Sequence, residues 1–510
     1  MTNSVTFAGE RPSATIADWL RRGKLIRIAP GVYTSASEDP AAVVSREWPS
    51  IVGHLMPGAV ITDRSAPTAG PVDGVLYLAR PVKALTLQLP GLRVIARKGA
   101  GPQEGDIALP GGMFQASRGR SLAENTLPSR AVLNRPSRTF NDDELADWID
   151  RLLRIDGVER LRYYRHQAEA LAVSLAVPQA GIDRLGQLIG AAIGTRTVFT
   201  GSKALDARQK GFPYDADRIA RLDLLVQALR NSAPQNQPAD PSDPRWSHIP
   251  FFEAYFSNYI EGTEFELDEA VKVVYMDQVP NGRTQDGHDL AGTYQIVNDL
   301  KEMSSVPTSG GQFIELLRYR HSVILAGRPE KNPGALKTIA NRAGDFVFVR
   351  PDLVEGTLRA GFDRLAELDT AWERSVYTMF LVSEVHPFDD GNGRIARIMM
   401  NAELVAARQA RILIPIVYRD DYLGGLRQLT RYDDPSILIK ALRYAHDYTA
   451  GIDFSELAIA TRELAATNAF KTPDSAQRLL LLGKNARISS VSQWERPVIK
   501  SADIPQLHVR

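Results

Sequence analysis

Residues 386–397 read His-Pro-Phe-Asp-Asp-Gly-Asn-Gly-Arg-Ile-Ala-Arg, between the helical runs SVYTMFLVSEV and IARIMMNAELVAA. Gly391 and Gly393 open backbone conformations closed to other residues and let main-chain N–H groups approach a ligand. The helix that starts near Gly393 points unsatisfied donors and a partial positive charge into the segment. Arg394 and Arg397 lie three apart in its first turn and project to one side. Together these make a cradle for a polyphosphate. Asp390 would repel such an anion unless a cation such as Mg²⁺ bridges the two. His386, arriving from the end of the preceding helix, is suited to act as a general base near neutral pH.

The periodicity around this loop is helical almost throughout. FFEAYFSNYIEG, AGTYQIVNDLKEM, FIELLRYRHSVILAG, LVEGTLRAGFDRLAEL and the two flanking runs place apolar residues three and four apart. A short strand pair is expected near 345–349, ahead of Pro351. Upstream, 232–250 (SAPQNQPADPSDPRWSHIP) lacks apolar periodicity and has the composition of a linker. Before it, 141–231 is expected to be a helical domain. Residues 1–140 mix a short helix near 15–24, a hairpin pivoting on Pro30-Gly31, and strands near 75–79, 85–89, 92–96 and 113–116. Residues 451–510 should hold one helix, 455–468, and a tail.

At 510 residues the chain is too long for one core. The absence of cysteine excludes disulfides and thiolate metal sites and fits a reducing compartment. The first residues lack a basic segment followed by an apolar one, and no stretch is apolar enough to span a membrane, so a cytoplasmic protein without a membrane partner is expected. A net charge of +1 hides an imbalance. Residues 1–140 carry 17 Lys/Arg against 10 Asp/Glu, which leaves the remainder acidic. That hints at a polyanion partner for the first quarter, with scattered surface charge as the plain alternative.

Residues 386–397 resemble the Fic family signature, His-x-Phe-x-(Asp/Glu)-Gly-Asn-Gly-Arg-x-x-Arg, at every defined position. The resemblance implies a mostly α-helical Fic (Fido) fold over residues 251–450 with a small β-hairpin flap. It implies an autoinhibited nucleotidyltransferase, a protein adenylyltransferase that moves AMP from ATP to a Ser, Thr or Tyr hydroxyl of a target protein or of the chain itself. In that reading His386 takes the hydroxyl proton, and Phe388 anchors the loop in the core. Asp390 holds Mg²⁺ against the α- and β-phosphates. Backbone amides around Gly391 and Gly393, with Asn392, receive the α-phosphate, while Arg394 and Arg397 hold the β- and γ-phosphates. Asn332-Pro333-Gly334 followed by Lys337 resembles the family's Pro-Gly-x-x-Arg segment, with lysine in place of arginine. NRAGDFVFVR (341–350) would be the flap, whose edge can pair with an extended target segment, and 418–441 would lie on the adenine side.

Ser257 to Gly262 fits the family's inhibitory motif, (Ser/Thr)-x-x-x-Glu-(Gly/Asn), in a helix expected over 251–262. Ser257 and Glu261 would share one helix face. The resemblance implies that Glu261 pairs with Arg397 and displaces the γ-phosphate; a plain helix stop at Glu261-Gly262 is the alternative.

Residues 12–140 resemble, more loosely, winged-helix antitoxins of abortive-infection systems through WLRRGKLIRIAPGVYTSA, GAVITDRSA and ENTLPSRAV. This implies an α+β domain whose Arg21, Arg22, Lys24 and Arg27 face DNA phosphates, with a target-docking module or a structural cap as alternatives. Competing readings of the whole are a DNA-binding regulator with a nucleotide-sensing Fic portion, or other chemistry on the same loop: UMP or phosphocholine transfer, or removal of AMP assisted by Glu261. The intact Gly-Asn-Gly-Arg disfavours phosphotransfer.

Overall fold

The computed structural model describes residues 4–130 and 137–482. The chain forms two compact units, Met1–Gly211 and Phe212–Arg510. Among the described residues no helix is long and apolar enough to cross a membrane.

The first unit opens with a three-stranded antiparallel sheet of order β1-β3-β2: β1 (Val5–Phe7), β2 (Leu25–Ala29) and β3 (Val32–Ser35), with α1 (Ser13–Arg21) between the first two strands. Pro30-Gly31 turns the hairpin, Gly31 taking a φ of 75° that a side chain would strain. Arg21, Arg22, Lys24 and Arg27 are exposed, but Arg21 and Arg22 both pair with Asp18. Half of the expected phosphate-facing set is therefore already answered within its own helix.

After α2 (Pro40–Leu55), capped by the Asp39 carboxylate, comes a mixed six-stranded sheet of order β6-β7-β5-β4-β9-β8. Its strands are β4 (Val60–Ile61), β5 (Val75–Arg80), β6 (Leu85–Leu89), β7 (Leu92–Lys98), β8 (Ile107–Ala108) and β9 (Phe114–Gln115). Central β5 lies between parallel β7 and antiparallel β4, which is why its residues from Val75 to Ala79 are apolar and buried without alternation. A winged helix accounts only for α1 and the first hairpin; this second sheet exceeds it. Of the segment ENTLPSRAV, Ala131 and Val132 lie outside the described residues.

The helical end of this unit comprises α3 (Arg118–Glu124), α4 (Asp142–Leu171, broken at Gly157), α5 (Gln179–Ala192) and α6 (Lys203–Gln209). A reciprocal capping box between Asn141 and Glu144 starts α4. Beneath α3 lies an ionic cluster. Arg97 bonds Asp63 at 3.1 Å and Glu124 at 2.7 Å. Arg120 bonds Glu124 at 3.2 Å, Asp106, and the carbonyls of Ala100 and Gly101 at 2.9 Å each. Arg138 closes on Asp63 at 2.8 Å.

The second unit is helical: α7 (Ala216–Arg230), α8 (Ile249–Ile260), α9 (Leu267–Met276), α10 (Thr284–Asn298), α11 (Leu300–Met303), α12 (Gly310–Ile324), α13 (Pro351–Phe362), α14 (Ala371–Val385), α15 (Asn392–Ala406), α16 (Arg419–Tyr432), α17 (Ser436–Gly451) and α18 (Leu457–Ala466). The hairpin β10 (Arg342–Ala343) and β11 (Phe346–Val347) interrupts them. One apolar core runs through the unit, with α14 and α15 packed along each other at its centre. Helix α7, read from sequence with the helical stretch before the linker, packs here against α13 and α14.

Residues 232–250 do not hang free. Gln237 and Ala239 form ladder bonds with Ala410 and Arg408 at 2.8 and 2.9 Å, Gln235 donates to Asp447 at 2.6 Å, and buried Trp246 stacks on Phe454. Proline and amide side chains erase periodicity, yet they supply the donors and acceptors that dock this strap. Of the expected C-terminal segment, residues 483–510 lie outside the described residues.

Candidate functional site

The loop between α14 and α15 starts with a backbone reversal. His386 caps α14 with φ 53° and ψ 62°, its N–H donating to Val382 at 2.9 Å. A left-handed conformation at a residue with a Cβ costs about 1 kcal/mol, so the surroundings must fix it. Phe388 is fully buried and lies flat against His321, ring centroids 3.8 Å apart and 5° from parallel. His321 donates through Nε2 to the Asp390 carbonyl at 3.1 Å and accepts the Gly334 N–H on Nδ1 at 2.8 Å. Those two bonds require the neutral ring, and burial pushes its pKa down to about 4. Asn392 closes the turn: its Oδ1 accepts from the Phe388 N–H and its Nδ2 donates to the Phe388 carbonyl, both at 2.9 Å. The side chain expected to touch phosphate is thus engaged in holding the loop.

Gly391 takes φ 71° as the cap of α15, and a Cβ there would crowd Leu325 at 3.1 Å. The N–H groups of Asn392, Gly393 and Arg394 form the first turn of α15, where no preceding helical carbonyl is available to them. Against that turn lies the carboxylate of Glu261, near enough that a Cβ on Gly393 would collide with it. Glu261 also accepts from Arg397 Nη2 at 2.7 Å. Arg397 further donates Nε to the Ser257 hydroxyl at 3.0 Å and Nη2 to the Ser257 carbonyl at 2.9 Å. Burial opposes its charge, but Glu261 and Tyr422 together outweigh that and hold its pKa above the ordinary arginine value. A carboxylate at a helix N-terminus with a guanidinium beside it occupies the place of a ligand anion. Gly262, φ 88°, ends α8 in a conformation that suits glycine.

Arg394 is held separately. Its Nη1 reaches Asp289 of α10 at 2.7 Å and Asn258 of α8 at 3.2 Å. Asp289 is fully buried and shares its Oδ2 with Arg328 at 2.8 Å. Asp390 is partly exposed, with Lys331 at 4.0 Å.

The imidazole of His386 stacks on Phe348, just beyond the flap strands, at 3.8 Å and 12°. Burial, then the charge of Lys337, lower its pKa to about 4, so the ring is an unprotonated acceptor at neutral pH. The sequence-expected residues His386, Phe388, Asp390, Gly391, Asn392, Gly393, Arg394, Arg397, Ser257, Glu261 and Gly262 thus meet in one place, and the expected flap lies beside them. His321 and Asp289 were not expected there. A histidine inside an amphipathic helix and an aspartate near a helix start carry no local signal.

Residues 309–404 match the model of the Fic/DOC family. The chain is similar to Protein adenylyltransferase fic-1 of Caenorhabditis elegans, 29% identical over 195 residues that cover 36% of this chain and 38% of that protein. It is similar also to Protein adenylyltransferase Fic of Nematostella vectensis, 25% identical over 248 residues, 46% of this chain and 56% of that one. The chain therefore spans roughly half or less of the length of these relatives. A solved structure of a segment of Fic-1 from C. elegans aligns over 64% of this chain and 88% of its own at 16% identity, with a TM-score of 0.35.

Proposed function

We propose that this chain is a protein adenylyltransferase that moves AMP from ATP to a Ser, Thr or Tyr hydroxyl, and that Glu261 restrains it. The observation that supports the reading best is the joint placement of His386 and an anion cradle whose Arg397 is held by Glu261 at 2.7 Å. In the reaction His386 takes the proton of the incoming hydroxyl. The hydroxyl oxygen forms the bond to the α-phosphorus, the bond to the β-phosphate oxygen breaks, and pyrophosphate leaves. The N–H groups at the start of α15 face the charge that grows on the α-phosphate, and Arg394 and Arg397 hold the phosphates beyond it. With Glu261 in place Arg397 is not free for the terminal phosphate, and the α-phosphorus is not turned in line with the hydroxyl.

Asp390 is the residue that would hold Mg²⁺. Among the described residues no group of three or more His, Cys, Asp or Glu side chains is arranged to hold a metal ion, and one partly exposed carboxylate suits an ion that takes its other ligands from phosphates and water. Bound there, Mg²⁺ would neutralise phosphate charge.

The test is incubation of Glu261→Gly protein with labelled ATP and Mg²⁺, followed by mass measurement of the protein. A mass gain of one AMP is expected, and it should be lost in a Glu261→Gly, His386→Ala chain that still binds ATP. General-base loss costs about 10²–10⁴-fold in rate. Full labelling without His386 would refute the assignment of the base.

A further inference from the structure

The left-handed backbone at His386 is clamped from one segment, residues 337–348. The Lys337 N–H donates to the Pro387 carbonyl at 2.9 Å. Its side chain turns back, and Nζ donates to the Val385 carbonyl at 3.3 Å and to Asn341 Oδ1 at 2.7 Å. Asn341 Nδ2 then donates to the Phe388 carbonyl at 2.9 Å, and the Asn341 carbonyl accepts the Phe348 N–H at 3.1 Å. Phe348 completes the set with its ring on the imidazole. Carbonyls on both sides of His386, and the ring itself, are therefore fixed by one short stretch whose hub is the Lys337–Asn341 bond. Lys337 is 3% exposed. A lysine ammonium buried at this cost needs a return, and a solvated side chain would serve a surface turn as well.

We propose that Lys337 is a positioning residue for the base: it sets the backbone conformation that aims His386 and stations a buried cation near the imidazole. The proposal rests on the reading of His386 as the base. The groups that bear on the imidazole are few. Lys337 disfavours its proton, while the Ser383 carbonyl of α14, Glu261 at the end of α8 and Asp390 of the loop favour it. Lys337 itself is pushed down to about 7 by burial and by Arg218 of α7, against the pull of Asp389. Both Nζ ties survive deprotonation, because a neutral amine still has two hydrogens to donate. The clamp thus persists across neutral pH while its charge fades as pH rises past 7.

The test compares Lys337→Met and Lys337→Arg in the full chain. First, histidine-labelled protein is titrated by NMR, the His386 signal being identified by its loss in His386→Ala. Its midpoint should rise in Lys337→Met by about one pH unit, the size of effect a neighbouring charge produces, and stay low in Lys337→Arg. Second, pyrophosphate release from ATP is followed with the same changes placed in Glu261→Gly protein. Lys337→Met should lower kcat about tenfold with KM for ATP held within about twofold, and Lys337→Arg should restore kcat. An unchanged midpoint with unchanged kcat overturns the proposal, as does an arginine that restores neither. If Lys337→Met does not fold, Asn341→Ala removes the hub from the other side and must lower kcat in the same selective way. A Glu261→Gly chain that releases no pyrophosphate sinks the adenylyl-transfer reading, while the NMR titration still decides the role of Lys337.

Discussion

Two of the buried ionic assemblies among the described residues are built to opposite ends. In the first unit Asp63, Glu124, Arg120 and Asp106 are sealed, and each carboxylate meets at least one guanidinium. In the second unit Arg397 is equally sealed, at 5% side-chain exposure, but its partner Glu261 keeps 29%. A closed cluster has no low-cost way to exchange partners, since parting any pair strands a charge in low dielectric. A pair with one wet member can be opened, because water receives the carboxylate that is displaced. The exposure of Glu261 is what makes the Arg397 pair exchangeable.

The largest effect should come from breaking the closed assembly. Arg120→Met removes the partner shared by Glu124 and Asp106, and loss of one member of a buried pair costs about 3–5 kcal/mol. Chemical denaturation should show that loss in the first unit's transition. Glu261→Gln, by contrast, keeps an amide oxygen that can accept from Arg397 and leaves the two Ser257 bonds in place, so it should cost clearly less than Arg120→Met. Equal losses at the two sites would dissolve the distinction.

Activity should rank the two the other way. Glu261→Gly should raise nucleotide transfer tenfold or more, about 1.4 kcal/mol, as labelled ATP incorporation reports. Adding Arg397→Ala should cancel the gain, because nothing then holds the terminal phosphate. A double variant as active as the single one would mean that Arg397 is not what the glutamate restrains.

The smallest effect is a slope. His321 and His446 are fully buried, and burial lowers both to about 4, whereas an unfolded histidine titrates near 6.5. Between those values the unfolded chain binds more protons than the folded one, so stability must fall as pH drops from about 6.5 toward 4. Denaturation midpoints across that range measure it. His446→Gln should flatten the slope, and an unchanged slope would show that His446 is already charged in the folded chain.

The loop, its flanking helices, the flap and the Ser257–Glu261 pair were legible because each is local: a signature, a period or a one-turn spacing states them within a dozen residues. Strands 75–80, 85–89 and 92–98 were legible for the same reason. Asp289 and His321 were not. They reach Arg394 and Asp390 across long stretches of chain, and only the packing of α10 and α12 against the loop brings them there. The strap at 232–250 misled for the converse reason, since its contacts are polar and long-range while its composition is that of a free segment. The six-stranded sheet was seen only as strands, because strand order is set by pairings that no single strand records.

The placement of Glu261 has a consequence for how this protein would respond to its surroundings. A carboxylate fixed at the end of α8, against the α15 turn and Arg397, is a competitor that never diffuses away. A tethered group acts at an effective concentration in the millimolar range or higher. On the proposed reading, free nucleotide must compete at that level for the same guanidinium, and its apparent affinity falls by the fraction of time the site stands open. On the proposed reading, the single glutamate sets a nucleotide threshold below which the chain stays silent.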